Sequence, residues 1–84
     1  MNRTRWWNRL FAPPRFILYR GYRLGVARFG LRLHDDGRVE WFDEGKWHDE
    51  STMMQAQRDY AKGCTWEPKL PVELKRIVWG SVKP

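Results

Sequence analysis

Few side chains of this 84-residue chain are equipped for nucleophilic, acid–base or metal chemistry: His34, His48, Cys64 and scattered carboxylates. His34 and His48 fall in separate strand-like segments with Glu40 between them. Two imidazoles beside an acid can hold a metal, but this spacing matches no recognised ligand set and Cys64 has no companion cysteine. Cys64 follows Gly63, where a helix is expected to end, and the negative end of a helix dipole disfavours a thiolate. Gly21, Gly25 and Gly30 lie four and five residues apart in strand-like sequence, so they do not form a phosphate-cradling loop. The expectation is a chain with no catalytic set, no metal site and no cofactor.

Cations and aromatic rings carry the remaining chemistry. Residues 1–34 hold eight arginines and no acid, whereas residues 35–84 hold eight basic and ten acidic residues, so the overall +6 belongs to the first part. Such asymmetry points to an acidic or polyanionic partner, or to an acidic second half that folds against the basic first half. Six tryptophans, three tyrosines and four phenylalanines exceed what so small a core encloses, which places some of them at an interface with arginine as co-anchor. Asp36 with Glu44-Gly45-Lys46 resembles the Asp…Glu-x-Lys pattern of metal-dependent nucleases in residue type. Both segments read as hairpin turns, however, rather than as the centres of adjacent strands.

The elements that position these groups follow from periodicity. Trp6, Trp7, Leu10 and Phe11 make an apolar stripe beside Arg5 and Arg9, which predicts a short amphipathic helix over 3–12 ended by Pro13-Pro14. Residues 1–15 thus read as a basic aromatic arm ahead of a single α+β domain over 16–84. From Val26 to His34 the period is two, with Ala27, Phe29, Leu31 and Leu33 on one parity and Arg28, Arg32 and His34 on the other. Asp35-Asp36-Gly37 is a three-residue hairpin connection. Pairing His34 with Arg38 then sets Leu33 against Val39, Arg32 against Glu40, Leu31 against Trp41 and Gly30 against Phe42. The turn chemistry repeats at Asp43-Glu44-Gly45, and the same folding pairs Trp41 with Trp47 on the buried face and puts His48 across from Glu40.

A meander of strands 26–34, 38–42 and 46–48 results. Phe16–Arg20 reads as a fourth strand or as an upstream continuation of the first, bent at Gly21 or Gly25. Thr52 with Gln55 has capping-box spacing, so a helix is expected over 52–62 with Met53, Ala56 and Tyr60 as its apolar stripe and Gly63 as a left-handed stop. Val72–Trp79 is ambiguous, and β-prone Ile77-Val78-Trp79 favours a final strand over 76–82.

Together these features predict a non-catalytic protein-binding module that modulates or inhibits a larger protein. Its contacts are expected from Arg5, Trp6, Trp7, Arg9 and Phe11 of the arm and from Arg20, Tyr22, Arg28 and Arg32 of the sheet. The expected partner is a protein with an acidic surface. Alternatives are a nucleic acid held by the arginine and aromatic sheet face, a membrane surface met by the arm, or a second copy of the chain. Size, tryptophan content and the missing catalytic set resemble in style the accessory proteins that phages and mobile elements encode, which often inhibit a host component. The lone cysteine, the absence of an apolar run of membrane-spanning length and the early Pro13-Pro14 lead to the expectation of a cytoplasmic location.

Overall fold

An apolar, aromatic-rich run and a run of alternating polarity, joined by Leu24-Gly25, fold back on each other as the central hairpin of the molecule. The computed structural model describes residues 15–80. Their order is β1 (Phe16–Arg23), β2 (Val26–His34), β3 (Val39–Asp43), β4 (Lys46–Asp49), a single 3-10 turn (Glu50–Thr52), α1 (Gln55–Lys62), β5 (Thr65–Glu67) and α2 (Val72–Trp79). The strands make one antiparallel sheet in the spatial order β4-β3-β2-β1-β5. The fold is therefore α+β, with more sheet than a three-strand meander: Phe16–Arg23 is a full strand and β5 closes the far edge. The helix expected over 3–12 lies outside the described residues.

The β2–β3 register is the one the alternation demands, with Leu33, Arg32, Leu31 and Gly30 opposite Val39, Glu40, Trp41 and Phe42. The β3–β4 register differs by one residue. Asp43 pairs with Lys46, Phe42 with Trp47, Trp41 with His48 and Glu40 with Asp49. The connection is a two-residue turn, Glu44-Gly45, with both φ angles positive (51° and 81°). That mirror-image geometry suits the twist of a tight hairpin, and it wins over a three-residue loop here. Because side chains alternate, the shift sends Trp47 to the face opposite Trp41 and brings His48 onto the Trp41 ring, 4.3 Å between centroids.

One sheet face holds the core. Tyr19, Phe29, Leu31, Val39, Trp41 and Trp66 from the strands meet Met53, Ala61, Leu70, Leu74 and Val78 from the helical layer. The Trp41 indole N–H donates to Asp49 O (3.0 Å) and Thr52 Oγ1 (3.1 Å), which pins the 3-10 turn beneath β3. Thr52 therefore serves the indole and does not cap the helix. The α1 start is held by the Gln57 side chain, whose Oε1 accepts from Met54 N (2.9 Å). Of the expected helical stripe, Met53 is buried and Tyr60 half-buried, but Ala56 is exposed and Ala61 takes the inward position.

Gly63 ends α1 in the right-handed region (φ −85°), not the left-handed one. Its lack of a side chain instead lets the Arg23 guanidinium lie against it. The final strand expected over 76–82 is overturned by α2. Pro71 O accepts from Leu74 N and Lys75 N (both 3.0 Å), and Leu74 and Val78, four residues apart, are completely buried. Burial of that i, i+4 pair outweighs the β-preference of Ile77-Val78-Trp79.

Candidate binding surface

The helices contribute to one sheet face only; among the described residues, neither helix adds to the core from the other side. Register places a row across all five strands of that second face: Glu67, Arg20, Gly30, Phe42 and Trp47. A second row runs Leu18, Arg32, Glu40 and Asp49, with Phe16 beside His34 at one end and Tyr22 beside Thr65 at the other. Gly30 is where the close approach is needed. A β-carbon there would stand 3.1 Å from Phe42 Cβ and 3.5 Å from the Trp47 ring, so those two rings lie over the glycine. Phe42 and Trp47 pack at 5.1 Å between centroids.

Arg32 sits at the centre. Its guanidinium carbon is 4.2 Å from the Trp47 ring and 4.9 Å from the Phe16 ring, both within cation–π reach. Its Nε donates to Glu40 Oε1 at 2.6 Å, and His34 Nε2 donates to the same oxygen at 2.7 Å. These two hydrogen bonds, His34 first and Arg32 second, hold the Glu40 carboxyl below the usual carboxylate range. The Phe16 ring meets His34 edge-on at 5.4 Å. An ordered lattice of Phe16, Arg32, His34, Glu40, Phe42 and Trp47 is thus assembled from four strands.

The residues expected to bind divide into three groups. Arg32 is clamped and electrically matched, so it is not an available cation. Arg20 is exposed and Tyr22 half-exposed on the same face, while Arg28 is exposed at the irregularity where the β1–β2 register shifts opposite Gly21/Tyr22. Arg5, Trp6, Trp7, Arg9 and Phe11 lie outside the described residues. Phe16, Phe42 and Trp47 were not foreseen as site residues. The parity of Phe16 with Arg20 and Tyr22 was readable, whereas Trp47 required the correct turn length.

The remaining histidine and the cysteine are engaged within the fold. His48 stacks on Trp41 and its Nε2 donates to Asp43 O (3.3 Å), instead of lying across from Glu40. The Cys64 thiol donates to Tyr60 O (3.5 Å), and burial pushes its pKa up despite nearby Arg23. Among the described residues no three His, Cys, Asp or Glu side chains group closely enough to hold a metal ion, and no helix is long and apolar enough to cross a membrane. Comparison with known protein families, curated proteins and solved structures finds no match to this chain.

Proposed function

We propose that this chain is a non-catalytic protein-binding module, docking through the second face of its sheet and modulating a larger protein. The observation that carries the reading is the pre-ordered aromatic lattice around Arg32. Rings and a guanidinium held in place before binding lose little entropy on contact, and aromatic and arginine side chains dominate interface energetics. The charge balance of this face favours a protein over a nucleic acid. Arg20 and Arg32 are matched in number by Glu40 and Glu67, so the face presents no strong positive field to phosphates. Exposed Arg20 and Arg28 supply the contacts for acidic groups on the partner. The reading extends to Arg5, Trp6, Trp7, Arg9 and Phe11, which precede Phe16 in the chain.

A capture experiment from lysate, with and without nuclease, tests it. A specific protein is expected in both samples and is lost with Trp47→Ala or Arg20→Glu in chains that melt like the parent. Capture that disappears on nuclease treatment, together with retardation of DNA or RNA at low salt that fades as salt rises, replaces this reading with nucleic-acid binding.

A further inference from the structure

The turn between β1 and β2 is built from Leu24 and Gly25, both at positive φ (52° and 77°), with Arg23 paired to Val26. This is the mirror-image two-residue turn that prefers Asn-Gly, and leucine is a poor occupant of its first position. Among the described residues no contact compensates, because Leu24 is 102% exposed and its neighbour Val26 is 47% exposed. A single exposed leucine is ordinary; one that also holds a strained backbone at the outermost point of a hairpin points to a role outside the fold. The surrounding charge gives the sign of the partner. Residues 20–28, the tip half of the hairpin, contain three arginines and no carboxylate. Arg23 is committed to the Tyr60 ring (4.2 Å) and Tyr60 O (3.3 Å), while Arg20 and Arg28 are exposed. By register the nearest acids are Glu67, opposite Arg20, and Asp43, one residue past the Phe42 that faces Gly30; Glu67 with Tyr22, Leu24, Gly25 and Thr65 lines an open groove at the tip.

We propose that this hairpin tip attaches the protein to anionic lipid bilayers, Leu24 entering the acyl boundary with Val26 at its edge and Arg20 and Arg28 meeting the headgroups. A convex apolar tip flanked by two exposed arginines suits a soft surface that closes around it and is anionic at the depth of the arginines. Tyr22, an amphipathic ring next to the tip, suits the headgroup level. The tip shares Arg20 and Arg28 with the sheet face proposed above but not the lattice of Phe16, Arg32 and Trp47 that carries that reading, and attachment through one tip is weak and reversible.

The test is sedimentation of the full chain with vesicles of phosphatidylcholine alone or mixed equally with phosphatidylserine, alongside thermal melts. The parent is expected to partition onto the mixed vesicles and to be released by salt. Leu24→Asn gives the turn its preferred pair, so it is expected to raise the melting temperature by a few degrees while lowering vesicle partition about tenfold. Arg28→Gln is expected to lower partition about fivefold. Trp47→Ala is expected to leave it unchanged, which separates this site from the protein-binding face. No partition onto the mixed vesicles overturns the proposal and leaves Leu24 to a protein pocket. Partition that survives Leu24→Asn also overturns it, by placing the anchor elsewhere, and a lowered melting temperature in that variant removes the strain on which it rests.

Discussion

Single atoms decide much of this sheet. Gly21 lies in a strand, where alanine is ordinarily the better residue, yet a β-carbon there would stand 3.0 Å from the Trp66 ring and 3.1 Å from Cys64 Cβ. Trp66 is buried and its indole N–H donates to Ala61 O (3.0 Å), so the ring has little room to retreat. Gly21→Ala is expected to destabilise the fold by about 1–3 kcal/mol in urea titration; a neutral result would mean that Trp66 moves without cost. The Glu40 oxygen shared by Arg32 and His34 makes a second prediction. A carboxyl whose folded pKa is lowered adds stability above its unfolded value, near 4.5, and that stability drains away as pH falls through the lowered folded value. Melting temperatures recorded downward from pH ~6 are therefore expected to drop through and below that region, and Glu40→Gln is expected to flatten the decline. Parallel curves for the two proteins would show that the shared oxygen contributes nothing.

Among the elements, the turns and α2 show where local pattern suffices and where it does not. Asp35-Asp36-Gly37 closes as a three-residue loop, with His34 N donating to Arg38 O (2.8 Å) and Gly37 at φ 93°. Asp43-Glu44-Gly45-Lys46 has nearly the same composition but closes in two residues. Both loops satisfy a glycine at positive φ, so the choice belongs to the sheet, which gains by seating His48 on Trp41 and Trp47 over Gly30. Glu44 sits at φ 51°, a position asparagine holds more readily, and Glu44→Asn is expected to raise stability by roughly 0.4–1 kcal/mol in chemical unfolding. For α2, Leu74→Ala is expected to cost about 2–5 kcal/mol because Leu74 is fully buried, whereas Trp79→Ala, at a half-exposed position, is expected to stay within about 0.5 kcal/mol. Equal losses would contradict the helical face described for this segment.

Taken whole, the molecule is a two-layer domain in which two tryptophans on neighbouring strands do opposite jobs. Trp41 is buried beneath the helical layer and hydrogen-bonded to the 3-10 turn, while Trp47 is partly exposed on the other side. Trp41→Ala is expected to cost about 3–5 kcal/mol in denaturant unfolding. Trp47→Ala is expected to cost far less, and its main effect is loss of partner capture; a comparable loss of stability in both would make Trp47 a core residue and remove the docking face. The α+β character, the β2–β3 register and the parity that sets Arg20, Tyr22 and Arg32 on one face are already legible in the amino-acid order. Strict alternation next to a glycine-bearing turn leaves one pairing that sets Leu31 and Leu33 against Trp41 and Val39 on the core face. The side taken by Trp47, the helix over Val72–Trp79 and the edge strand β5 were settled only by three-dimensional assembly. Each depends on a partner distant in the chain: Gly30 for Trp47, the sheet core for Leu74 and Val78, and β1 for β5. Short segments of mixed propensity take whichever conformation that distant surface rewards, because burial of large side chains outweighs the few tenths of a kcal/mol per residue that distinguish helix from strand locally.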